Sequence, residues 1–265
     1  MMKPRGKDPM ADARFLELLE ENVLPTTTSV ELVRTPQTDY RLRFGAMQPH
    51  VAELFHENTK LTPHRASEGE SGELTAARRR HLEVPYRVRE EDLNPAQADL
   101  LRVRHCALGD PLALLLAPFA EQGPDSELLY SVDVMLAHRG MLLRQIAGAD
   151  FLWVEKHLSR DELTLIRAST LGAPPSSGDE PILFLAGAPW RYMMFLGPRG
   201  YRHMLLDVGR VVERLHGVAA RARLELGVHF DFYDARVDRA LLLDGVERST
   251  LAVLFPRFLD DGASS

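Results

Sequence analysis

Four groups of side chains in this 265-residue sequence could move a proton or grip an anion. They are His56-Glu57, the run Arg78-Arg79-Arg80, the stretch Arg199-Gly200-Tyr201-Arg202-His203 with Tyr192 upstream of it, and Cys106. An arginine fork suits phosphate and carboxylate equally, so Arg199 and Arg202 are candidate anion grips. The alternative is an ion pair with Asp207 or Glu213. The triple arginine could face a phosphate or a leader peptide; otherwise it is a solvated face. His56 and Glu57 could line a cleft, and a helix-end hydrogen bond is the commoner arrangement for such a pair. Cys106, next to Ala107 and Leu108, reads as a buried structural thiol. Trp153 and Trp190 read as core or interface aromatics.

Several chemistries lack their signatures. The sequence has no Gly-rich dinucleotide loop, no P-loop and no G-x-S-x-G elbow. His56-Glu57 has no second histidine at the spacing a zinc protease needs, and no histidine pair has helical metal-ligand spacing, so no metal is expected. One cysteine excludes an internal disulfide framework. A net charge of −6 gives no basic footprint for nucleic acid, although 28 of the 32 basic residues are arginine. The longest apolar run, Pro111 to Ala120, is far short of the ~20 residues that span a bilayer. Met1 to Asp12 is polar, so neither a secretory signal nor a membrane partner is expected, and the expected location is cytoplasmic.

The elements that must position these groups follow from apolar spacing. Residues 14–23 and 48–59 read as short helices, and residues 30–34 and 40–44 as short strands. Residues 67–75, rich in Ser, Gly and Glu, read as a loop. Residues 128–147 carry an apolar stripe that predicts a helix. Residues 151–154 read as a strand, 161–168 as a helix, 172–179 as a loop and 182–186 as a buried strand. The clearest element is a long amphipathic helix over 205–226, with Val208, Val211, Val212, Leu215, Val218, Ala219, Ala222 and Leu226 at helical spacing. Gly227 would cap it. Strands are predicted over 228–233 and 251–255. The mixture points to an α+β domain.

Three segments, in order, carry a resemblance: LFHENTKLTP at 54–63, RYMMFLGPRGYRHMLLDVG at 191–209, and FYDARVDRALLLDGVERSTLAVL at 232–254. They resemble the SagB-like azoline dehydrogenases of peptide natural-product pathways, a branch of the nitroreductase superfamily. The matching residues are His56, Glu57, Thr59, Lys60, Arg199, Gly200, Tyr201, Arg202, Gly209, Tyr233, Asp234, Asp244, Gly245 and Glu247. The likeness is clear over roughly residues 150 to 255 and thin before that. It implies a nitroreductase-like α+β fold: a mixed sheet flanked by helices, with a long central helix through which subunits dimerise. It places residues 66–265 in that domain and residues 1–65 in an N-terminal extension and the domain's start. It further implies FMN between subunits and oxidation of azolines to azoles in a precursor peptide, with hydride passing to the flavin and oxygen reoxidising it. The partner is a second copy or a related dehydrogenase subunit.

The sequence departs from that family where the chemistry sits. The family pattern Arg-x-x-x-Lys-Tyr-Gly is here Arg191, then Phe195-Leu196-Gly197, so the proton-handling pair is replaced. The remaining proton carriers nearby are Tyr201, His203 and Tyr192. The implied flavin grips are Arg199, Gly200 and Arg202, with Arg78 and Arg80 nearest to the family's Arg-x-Ser-x-Arg but lacking its serine. A Pro-Ser-x-Gly at 175–178 lies after residues 151–154, whereas the family's copy precedes that segment. A chain that keeps packing segments and loses proton-handling residues also fits a non-catalytic partner or a peptide-binding scaffold without flavin.

Overall fold

The computed structural model describes residues 55, 59, 72–83, 101–175 and 180–258. The chain divides into two compact units, residues 1–60 and 61–265. The sheet and its helices belong to the second. The helices and strands predicted before residue 60 lie outside the described residues, apart from a turn in which Thr59 Oγ1 donates to the Phe55 carbonyl at 2.7 Å.

In chain order the elements are α1 (Gly72–Glu83), β1 (Arg102–Arg104), α2 (Asp110–Leu116), α3 (Pro124–Glu127), β2 (Val132–His138), β3 (Met141–Gln145), β4 (Phe151–His157), α4 (Arg160–Ser169), β5 (Ile182–Gly187), α5 (Trp190–Leu196), α6 (Gly200–Arg221), β6 (Leu224–His229), α7 (Asp234–Ala240) and β7 (Ser249–Phe258). The strands form one sheet in the order β1-β4-β3-β2-β5-β7-β6. All six pairings are antiparallel, so the mixed sheet of the resemblance is antiparallel among the described strands.

The central strands bury side chains on both faces. On one face Val132, Val134, Leu136, Leu183, Leu185, Ala252 and Leu254 form a core with residues of α1, α2 and α6. On the other, Met135, Ala137, Ile182, Phe184, Val253 and Phe255 meet Ile166 of α4 and Val237 and Ala240 of α7. The sheet is therefore sandwiched between two helical layers. β5, buried throughout, is the strand its unbroken apolar run predicts. α4 starts at a capping box: Ser159 Oγ accepts from the Glu162 amide while Glu162 Oε2 accepts from the Ser159 amide.

Residues 128–147 are not a helix. After a 3₁₀ turn at Leu128–Tyr130 they form the β2–β3 hairpin. Its two-residue turn uses Arg139 at φ 49° and Gly140 at φ 71°, both left-handed, which suits the right-handed twist of the strands. Seven apolar positions buried on two faces leave no period-2 signal, and the helical reading filled that gap. Gly72–Thr75, predicted as loop, is the first turn of α1.

The long helix exists but is offset from its prediction. α6 spans 22 residues, about 33 Å. It buries Gly200, Met204, Asp207, Val208, Val211, Leu215, Val218 and Ala219 at i, i+3, i+4 spacing. It ends at Arg221, and Arg223, at φ 54°, takes the left-handed turn expected of Gly227. Gly227 sits inside β6, so the strand predicted over 228–233 starts earlier and stops at His229. No helix among the described residues is long and apolar enough to cross a membrane.

Candidate functional site

α5 and α6 meet at Gly200. A Cβ there would lie 2.5 Å from the Met193 nitrogen and the Tyr192 carbonyl carbon, so only glycine allows this approach. The close crossing presses Tyr192 into the protein, where it is 1% exposed. Its hydroxyl donates to Asp207 Oδ2 at 2.6 Å and accepts from Arg78 Nη2. Ser131 Oγ donates to the same carboxylate oxygen at 3.0 Å, and Arg210 reaches Oδ1 at 3.3 Å. Arg78 also lies over the Tyr192 ring, 5.1 Å from its centroid. Burial drives the Tyr192 phenol above its ordinary value; the hydrogen bond to Asp207 and that carboxylate's charge add to it, while Arg78 opposes. The group is a neutral structural donor at neutral pH.

A second buried carboxylate lies on the opposite face of the sheet. Asp133 of β2 takes Arg191 Nη1 at 3.4 Å and Arg248 Nη1 at 3.1 Å. Burial alone would raise its pKa, but Arg191, Arg144 and Arg248 together hold it at about 2. Arg144 is tied in turn to Glu155 at 2.5 Å. Arg191 also donates to the Tyr130 carbonyl at 2.8 Å, and the Tyr130 hydroxyl returns a bond to the Arg191 carbonyl at 2.9 Å. These contacts lock the start of α5 onto β2.

The predicted site residues are thus only partly brought together. Tyr192 and His203 are neighbours, with ring centroids 5.6 Å apart. Tyr201, half-buried, packs against the core. Arg199 and Arg202 are half-buried around the first turn of α6. Gly200 serves packing, and its amide donates to the Gly197 and Pro198 carbonyls. Arg78 is bound into the Tyr192–Asp207 network. Arg80 is exposed and donates to the Ala76 carbonyl of its own helix at 3.4 Å. Phe195 and Leu196 close α5 as partly buried packing residues. Cys106 is exposed, not the buried thiol expected: it sits in a 3₁₀ turn where the neighbouring His105 takes the interior position and bonds Gln145 at 2.7 Å. Trp153 is core, and Trp190 is 44% exposed.

FMN would need phosphate donors converging on one space. Of the five predicted grips, Arg78 and the Gly200 amide already have internal partners, and Arg80 turns back on α1. Arg78, Arg80 and the Gly200 amide therefore do not converge on a flavin phosphate within one chain. An open cleft of about 700 Å³ does exist, farther along α6. Asp125, Leu128, Leu205, Leu206, Gly209, Arg210, Glu213, Arg214 and Gly217 line it, and none of the five grips does. Leu205 and Leu206 are 43% and 66% exposed. Asp125 pairs with Arg214 across it, with Nε at 2.7 Å.

Sequence reasoning missed Asp133 and cast Asp207 only as an ion-pair partner for Arg199 or Arg202. One signal was present: each is a lone carboxylate inside an apolar run, SVDVML and MLLDVG.

The fold is nitroreductase-like. A protein from Anabaena variabilis described as a nitroreductase superposes with TM-score 0.55 at 15% identity, covering 81% of this chain and 47% of its own, so this chain spans about half its length. A chain of the E. coli microcin synthetase McbBCD complex with truncated pro-MccB17 bound gives TM-score 0.49 at 14% identity, over 96% and 95% of the two chains. No family model and no curated protein matches the chain.

Proposed function

We propose that this chain is the structural half of a dimeric, SagB-like azoline dehydrogenase of peptide natural-product maturation. It pairs through the exposed face of α6, and alone it neither grips FMN nor oxidises azolines. The observation that carries this reading is the end of α5. Phe195 and Leu196 pack against the core where the resemblance calls for the proton-handling pair. Tyr192, the nearest phenol, is sealed between Asp207 and Arg78.

The α6 face supports the pairing. Gly209 and Gly217 are exposed mid-helix glycines, each costing about 1 kcal/mol against alanine. A Cβ at either would meet nothing within 4 Å among the described residues, so their packing does not require glycine there. A helix packing closely on this face does. Leu205 and Leu206 supply apolar area beside them, and Arg210 and Glu213 supply opposite charges on neighbouring turns.

A second reading is a homodimer in which two copies complete one flavin site. It is favoured by Tyr201, Arg202 and His203, which stand half-buried on the first turn of the same helix.

The two readings separate on one preparation. The chain is purified alone, incubated with FMN, freed of unbound flavin, and examined for flavin absorbance and sedimentation mass. A colourless protein fits the structural half. A yellow dimer favours the homodimeric enzyme and overturns the first reading.

A further inference from the structure

At the β2–β3 turn the sheet ends in a row of three side chains from three strands. His138, the last residue of β2, is paired with Met141, the first of β3. Met141 is paired in turn with His157, the last of β4. Directly opposed residues of antiparallel strands share a face, with Cα atoms about 4.5–5.5 Å apart. Met141 therefore stands between His138 and His157 in this row, on one face of the sheet. Met141 packs at the margin of the core that faces α2 and α6, and His157 is exposed, so the row lies at an accessible rim.

His138 carries the anomaly. Both of its ring nitrogens are buried, and neither has a hydrogen-bond partner among the described residues. Buried ring nitrogens are ordinarily bonded, and an orphan asks for a missing partner. The neighbouring Arg139 turns to the Ala107 carbonyl, 3.3 Å away.

We infer that His138, Met141 and His157 form a binding site for cuprous copper. The choice of ion follows from the donors. A thioether is a soft ligand that selects Cu(I), while magnesium and calcium need oxygen ligands, and a structural zinc site needs four donors of nitrogen, thiolate or carboxylate type. The row offers two nitrogens and one thioether sulfur. Helical His-x-x-x-His spacing cannot reveal it, because strand pairing brings together residues 138, 141 and 157.

The test uses the full chain under anaerobic conditions, with Cu(I) supplied against a chromophoric competitor. The expected result is one tightly held copper per chain, with an X-ray absorption spectrum showing one sulfur and two imidazole nitrogens. Met141→Leu and His157→Ala should each weaken binding by at least about tenfold, with circular dichroism unchanged. His157 is exposed, so its variant guards against a folding defect at the buried position. Wild-type protein that holds no copper overturns the proposal. So does copper held with unchanged affinity by the Met141→Leu/His157→Ala double variant, or equal competition by Zn(II).

Discussion

Replacing Gly209 and Gly217 by alanine should move two observables in opposite directions. Both residues are exposed on α6, and a methyl at either position meets no atom within 4 Å among the described residues. Each alanine therefore gains the helix-interior preference over glycine, about 1 kcal/mol, and the pair about 2 kcal/mol. For a folded unit of 150–250 residues that corresponds to a Tm rise of roughly 4–8 °C. The same methyls would stand between α6 and a partner helix at the usual interaxial distance of about 8–10 Å. A loss of about 1.4 kcal/mol there weakens association tenfold. Thermal denaturation of dilute protein reads the first effect, and sedimentation velocity at increasing concentration reads the second. A double variant that is more stable as a monomer and associates as tightly as wild type would refute the docking role of this face. One that is no more stable would refute the claim that the glycines are unneeded by the chain itself.

Asp207→Asn keeps the shape but removes the charge facing Arg78 and Arg210, and should cost about 3 kcal/mol in chemical denaturation, since it breaks a buried network. Tyr192→Phe should cost about 1–2 kcal/mol and couple to Asp207→Asn in a double-mutant cycle. Asp133 is held at about 2 when folded against an ordinary 3.8, so it stabilises the fold above pH ~4 by about 2–3 kcal/mol and loses this as pH falls from ~4 toward ~2; Asp133→Asn should remove that acid limb from a stability–pH profile. Gly200→Ala should cost about 1–3 kcal/mol by forcing α5 from α6, seen as a lower denaturation midpoint.

How much of this could be read from residues alone varies element by element. β5, α4, β4 and β7 were legible because an apolar run or a capped amphipathic stretch is a local signal. α6 was legible as an element but not at its ends. Its first turn, Gly200 to Met204, is set by the crossing with α5, and its last by Arg223 adopting a conformation usually left to glycine. The β2–β3 hairpin was hidden because strands buried on both faces lose their alternation. Its one clue was Arg139-Gly140 between apolar runs. The site divides the same way. The replacement at Phe195-Leu196 is visible in the sequence. The internal engagement of Arg78 and Tyr192 is not, because it joins α1, α5 and α6 across 114 residues of chain. The His138–Met141–His157 row is likewise a product of strand register.

We propose that this chain lacks a complete azoline oxidase of its own. The most direct measurement supplies a thiazoline-containing peptide, excess FMN and oxygen to the purified chain, and follows the loss of two hydrogens by mass spectrometry. No thiazole should form with the chain alone, and turnover should appear only when a second dehydrogenase subunit is added. Rapid turnover by the chain alone would show that it carries a complete site and overturn this proposal.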